Sequence, residues 1–276
     1  MPRNASSLAL TDGYARSLFA LRERTARVVL GAWVLDPRDV GGSLGRWLSV
    51  AVPVLGGGQR AAAELAAAYL SAYRASELGG RALAYDLNAD RYAGQTPDGR
   101  PLRRVLSTSQ VAVRVALDRG TNAEVASRWG ATRALRTVRQ EVAEAARFAQ
   151  RDLMDADDRI TGWRRVTGAM PCGACLAAST GAVRRTSEVP PAHAACRCVA
   201  EPVVRGVRER VHRPTGEERF AAMSPDEQDA LFAGTGGREK ADLIRSGAVA
   251  LAALIAVEHR PDARDTITET PLQALR

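Results

Sequence analysis

Cys172-Gly173-Ala174-Cys175 and, after 17 intervening residues, His193-Ala194-Ala195-Cys196-Arg197-Cys198 hold all four cysteines and one of the three histidines of this 276-residue chain. Such crowding of soft and borderline donors is the pattern a divalent ion requires. Zn²⁺ takes four tetrahedral sulfur or nitrogen ligands, and two short-range ligand pairs joined by a hairpin make a closed, structural site. Five candidates compete for four places. Cys172 and Cys175 fill two, and His193 with either Cys196 or Cys198 completes the set; spacing alone does not separate the last two. The flanks fit a small antiparallel sheet. Trp163 to Thr167 form an incoming strand, Val199 to Val204 an outgoing one, Gly173 permits a tight turn between the first cysteines, and Pro190-Pro191 leads into the second ligand group.

Other uses of the cluster are weaker. Disulfides become an option if the protein ends in an extracellular particle, and packed metal-free thiols are a second. A Cys/His catalytic dyad lacks a polar orienting group near His193 in sequence, and surplus ligands close a metal site against the water that catalysis needs.

Upstream of the cluster the chain reads as helices. Tyr14, Leu18, Leu21, Thr25 and Val28 recur at steps of three and four, so they share a helical face before Pro37. Gly41, Gly42, Gly45, Pro53 and Gly56 to Gly58 predict a broken connecting segment. A second helix runs from about Gln59 to Leu78, with Gly79-Gly80 as its stop. Pro97-Asp98-Gly99 marks a turn, and Ser109 to Arg119 a helix stopped by Gly120. Thr121 and Glu124 then form a capping box for the longest helix, which carries Val125, Trp129, Leu135, Val138, Val142, Ala145 and Phe148 to about Asp155. Gly130 is a candidate kink, and Trp33 and Trp129 are expected as core or interface anchors.

Downstream, Ser224, Pro225 and Glu227 spell a capped short helix to Phe232. A segment from Arg238 to Arg245, an apolar run from Val249 to Val257 and an extended tail containing Pro261 and Pro271 follow. The expected fold class is therefore mainly α with a small β module (α+β): a helical domain at 1–158, a Cys/His knuckle module at 159–205, and a short-helix region with its tail at 206–276.

The net charge is +8, but it is uneven: 31 basic and 20 acidic residues up to Arg210, against 8 and 11 after it. A basic body can attract phosphate or an acidic partner. Lys240 is the only lysine, and the abundance of Arg and Ala fits a coding bias as well as it fits nucleic-acid contact. No apolar stretch of signal-peptide length stands at the N-terminus, and the 12 uncharged residues between Arg245 and Glu258 are too few to span a bilayer. A reducing cytoplasm during synthesis is expected, and no membrane partner.

From Trp163 through Arg165-Val166, the CxxC, Gly181, Pro190-Pro191, His193 and the closing Cys196-Arg197-Cys198, the chain resembles the C-terminal motif of phage Mu F-like head-morphogenesis proteins. In that family the closing group commonly reads His-Pro-Asn-Cys-Arg-Cys; Ala194 and Ala195 replace the Pro and Asn at spacer positions. Ser224-Pro225-Asp226-Glu227-Gln228 and Leu243-Ile244-Arg245-Ser246-Gly247 resemble the region that follows the motif in minor capsid proteins of actinobacterial phages. The resemblance covers roughly the last 120 residues. It implies a non-enzymatic minor capsid protein of the virion interior, held with portal protein and other capsid proteins, with packaged DNA as a nonspecific contact and structural zinc as cofactor. A nucleic-acid-binding zinc knuckle is the alternative, motivated by Arg184, Arg185 and Arg197; it lacks an aromatic between Cys172 and Cys198 for base stacking. Nothing marks an appended active site: His212 and His259 stand alone, and Asp155, Asp157 and Asp158 read as a solvated loop after a helix end.

Overall fold

A computed structural model describes residues 5–80, 85–168, 171–189, 196–207, 212–232, 237–258 and 266–275. The molecule is mainly helical with a small antiparallel β component, as the residue pattern predicts. It divides into two compact units in space rather than along the chain: Met1–Ala15, Tyr69–Leu83 and Arg151–Arg276 make one, and Arg16–Ala68 with Ala84–Gln150 the other.

The second of these, the helical unit, draws on α1 (Ala5–Gly31), α2 (Val40–Leu78), α3 (Leu102–Leu106), α4 (Thr108–Asp118) and α5 (Ala123–Ala156). The expected break between Gly41 and Gly58 does not occur, and α2 runs for 39 residues through Pro53 and every glycine of that stretch. At 39 residues against 34, it also replaces α5 as the longest helix. Energies explain why. An interior glycine costs roughly 1 kcal/mol against alanine and a proline roughly 3, whereas fully burying each of several large apolar side chains gives about 1.5–3 kcal/mol. Leu44, Trp47, Leu48 and Leu55 all lie at 4% exposure or less, so tertiary burial outweighs propensity, and Pro53 points outward.

Gly58 has a packing reason. A Cβ there would meet Thr25 of α1 at 2.8 Å and Val142 of α5 at 3.2 Å. Thr25 cannot swing aside cheaply, because its hydroxyl donates to the Leu21 carbonyl at 2.9 Å. Gly58→Ala is therefore expected to destabilise by about 1–3 kcal/mol through overpacking, despite alanine's better helix propensity. A denaturant midpoint higher than that of the parent chain would contradict this packing.

Smaller differences have similarly local causes. Val28 is 50% exposed while Val29 is fully buried, because the buried stripe steps by four from Thr25. Helix α5 is capped by Asn122, whose Oδ1 accepts from Val125 N at 2.9 Å, instead of by a Thr121/Glu124 box. Gly130 is a point of close approach: a Cβ there would lie 2.4 Å from Val113 and 2.8 Å from the Trp33 ring. Trp33 packs edge-on against Trp47 at 4.8 Å. Trp129 is 51% exposed and stands outside the unit's core.

In the other unit, β1 (Ile160–Val166) pairs antiparallel with β2 (Val199–Val204), in the register Val166↔Val199 and Trp163↔Pro202. These are the two strands expected beside the cysteines. Helix α6 (Gly173–Ala177) lies between them in sequence, and α7 (Gly216–Ala221), α8 (Pro225–Leu231) and α9 (Gly237–Arg245) follow. Leu176, Phe220, Phe232, Ala241, Leu251 and Leu254 form their common core. Ser224 and Glu227 close the expected capping box on α8, with Pro225 in its first turn, and Thr215 with Glu218 makes a second box on α7.

Helices α8 and α9 stand where short helices were expected, whereas the apolar run from Val249 and the tail beyond it fold differently. After a short 3-10 turn, β3 (Ile255–Glu258) pairs antiparallel with β4 (Thr266–Glu269), with Val257 opposite Ile267. The β-branched run Ile-Thr at 267–268 supplies the strand, and Ile267 is 4% exposed. Pro261 lies outside the described residues, and Pro271 caps a final 3-10 turn. Asp157, read as solvated, is buried and pairs with Arg74 at 2.9 Å.

Candidate metal centre

Each cysteine is positioned by a different local device. Cys172 occupies the N-cap of α6, in extended conformation, and its carbonyl accepts from Leu176 N at 3.1 Å. Cys175 lies within the single turn of α6, which brings it back toward Cys172. Gly173 thus begins a helix instead of shaping a β turn, and its lack of a side chain serves packing: a Cβ would sit 2.2 Å from the Phe232 ring. The same crowding recurs at the other end of α6, where a Cβ on Gly216 would lie 1.9 Å from the Leu176 carbonyl oxygen. Cys196 and Cys198 arrive from the opposite direction, directly ahead of β2, and Cys198 N donates to Cys196 Sγ at 3.4 Å.

The sulfurs of Cys175, Cys196 and Cys198 are buried and lie within 4.8 Å of one another, a group that could hold a metal ion. Cys175 and Cys196 Sγ are 3.7 Å apart. Cys172 is half-buried and packs against the three. The four cysteines are thiols, not disulfides. Of the five ligand candidates, the structure brings three cysteines together with the fourth alongside; His193 and the Pro190-Pro191 pair lie outside the described residues. The choice that spacing left open, Cys196 or Cys198, has a geometric answer: both sulfurs belong to the cluster.

Arg165 is the neighbour that spacing did not reveal. It stands on β1, 8% exposed, with Nη1 3.9 Å from Cys196 Sγ. Its carbonyl accepts from Ser179 Oγ at 3.2 Å, tying β1 to the segment after α6. Burial by itself would lower the guanidinium pKa, but the fields of Cys198 and Cys196 outweigh it and hold it above the ordinary value. Strand periodicity was the available signal, since Trp163 and Arg165 share one face. Trp163 anchors that face by donating its indole N–H to the Glu188 carbonyl at 3.0 Å, and its backbone bridges to Arg184.

Without a cation the thiols resist ionisation. Hydrogen bonds from Cys172 and then Cys196 push the Cys175 pKa far up. For Cys198, the hydrogen bond from Cys175 pulls down, but that from Cys196, burial and the Cys196 charge prevail and raise it to about 12. A bound dication reverses this balance by favouring thiolates. Opposite pH dependences follow. With the metal removed, Cys198 stabilises the fold while protonated; this contribution is whole below the ordinary thiol value of 9.0 and is lost as pH rises toward about 12. With metal bound, the unfolded chain takes up the protons, so stability falls on acidification below the ordinary thiol range. Thermal melts across pH, with and without chelator, are expected to show the two slopes, and parallel curves would refute the ion's role.

No family model, curated protein or solved structure matches the chain.

Proposed function

We propose that the cysteine cluster is a structural zinc site and that the chain is a non-catalytic assembly component. The observation that carries this reading is the geometry of the three buried sulfurs. A tetrahedral ion with Zn–S bonds of about 2.3 Å has S···S edges of about 3.8 Å, close to the 3.7 Å between Cys175 and Cys196. Burial and sulfur richness favour a closed site.

The motif resemblance extends this reading to a minor head protein of a phage, acting in the capsid interior with portal protein and other capsid proteins. A cysteine module that keeps its shape without turnover suits such a scaffold, and no described helix is long and apolar enough to cross a membrane. Two measurements test the proposal. Purified protein is expected to carry one equivalent of zinc, and the chain is expected to co-purify with portal protein from procapsids. Metal-free native protein would end the first half, and its absence from procapsids the second.

Nucleic-acid binding is a second reading, and exposed residues of the helical unit are what favour it. Trp129 is half exposed on α5 beside exposed Arg128 and Arg133, while Arg114 and Arg119 are exposed on and just after α4. This pairs a stacking aromatic with phosphate-binding cations, a pairing absent between the cysteines. Filter binding to single-stranded DNA is expected to weaken steeply with salt and to weaken further in Trp129→Ala. Binding insensitive to both changes would remove this reading.

A further inference from the structure

We infer that the ion is held by four sulfurs, Cys172, Cys175, Cys196 and Cys198, with Arg165 as the buried counter-cation, so that His193 is not a ligand. This rests on the zinc reading above and specifies its ligand set.

The position of Cys172 carries the argument. Three sulfurs already lie within 4.8 Å of one another, and a tetrahedral ion needs only one more donor. Cys172 packs on the same cluster. It is also fixed in place: it caps α6, whose next residue, Gly173, is pressed against the Phe232 ring. Its sulfur stands outside the group of three that lie within 4.8 Å of one another, so a rotation of the Cys172 side chain about Cα is the movement that would complete the shell.

The charge of such a shell explains Arg165. Four thiolates around a dication carry a net charge of −2, and placing that charge in a buried environment without an adjacent cation is costly. The Arg165 guanidinium lies beside Cys196 Sγ at 3.9 Å, on a strand whose register with β2 sets Arg165 opposite Ala200, two residues past Cys198. A donor outside the metal's own ligands tunes the ion in this way. Charge compensation and ligand identity are separate claims and have separate tests.

The full-length chain loaded with Co²⁺ reports the ligand set directly, because the ligand-field and thiolate charge-transfer bands differ between four-sulfur and three-sulfur, one-nitrogen shells. His193→Ala is expected to retain one equivalent of metal, an unchanged spectrum and a zinc affinity within about 3-fold of the parent, well short of the 10–100-fold that even outer-shell changes cost. A changed spectrum or lost metal in His193→Ala overturns the four-sulfur set. Cys172→Ser is expected to shift the spectrum toward a three-sulfur shell. If that variant fails to fold, ¹¹³Cd resonance of the parent chain gives the sulfur count, and a shift outside the four-sulfur range overturns the set. Arg165→Met is expected to lower zinc affinity by about 10–100-fold with the Co²⁺ spectrum preserved, and Arg165→Lys to restore most of it. Unchanged affinity in Arg165→Met overturns the counter-cation role. A parent chain that binds neither Co²⁺ nor Zn²⁺ overturns the zinc reading itself, an outcome distinct from any variant's failure.

Discussion

Cys175→Ser is expected to unfold the segment around α6 and to lower the stability of its unit by about 5 kcal/mol or more. That is a reduced share of the roughly 10–16 kcal/mol of apparent binding energy available where a whole small fold depends on zinc. The reduction reflects a core beside the site that owes nothing to metal: Phe220, Phe232, Ala241, Leu251 and Leu254 are buried together. The loss still spreads, because Leu176 follows Cys175 directly and belongs to that core at 1% exposure. An ion bound here would join segments far apart in sequence, α6 and the approach to β2, and would offset their closure entropy. Hydrogen exchange is the discriminating measurement. In the parent chain with chelator, and in Cys175→Ser without it, amides of 172–179 and 196–200 are expected to lose protection together, while those of α2 and α4 keep theirs. Equal protection in all three samples would show that thiol packing alone holds the segment.

Much of this site was legible from residue types. Cysteine clustering, a strand over 163–167 that the structure extends back to Ile160 and ends at Val166, the strand at 199–204 and the α8 capping box all follow from local rules, because ligand spacing, alternation and cap chemistry act within a few residues. What escaped sequence reasoning was decided by contacts between distant segments. The glycines from Gly41 to Gly58 read locally as breaks, yet α2 persists because neighbouring helices bury Leu44, Trp47 and Leu55, and Thr25 leaves room only for a glycine at 58. Likewise Gly173 read as a turn residue, and its real constraint is the ring of Phe232, 59 positions away. The β3–β4 pair was missed because each strand has only four residues, too short a window for alternation to separate strand from helix or coil. Arg165 escaped for a third reason: a charged residue in a strand defaults to the solvent face, and the sulfurs that favour its buried charge come from segments distant in sequence.

Arg213→Met is expected to cost about 3–5 kcal/mol, the penalty for removing one partner of a buried ion pair. Glu201, on β2, has no exposed surface, and its Oε2 lies 2.7 Å from Arg213 Nε. That distance reflects charge attraction, since the N–H is not aligned on this oxygen as a hydrogen bond. Tyr73 donates its hydroxyl to Glu201 Oε1 at 3.4 Å. Arg213 also pairs with Asp12 at 3.0 Å and donates to the Leu8 carbonyl at 3.4 Å, and this makes the two possible deletions unequal. Glu201→Gln removes the buried charge and leaves Arg213 paired with the half-exposed Asp12, so a smaller loss of about 1–2 kcal/mol is expected, within the range for a buried polar group that loses a partner. Adding Arg213→Met to Glu201→Gln should then cost far less than Arg213→Met alone, because no buried anion remains to be stranded. Denaturant unfolding of the two single variants and the double variant measures this coupling. Additive losses would mean that Glu201 and Arg213 act independently, and that β2, which follows directly on Cys198, is not held by this pair.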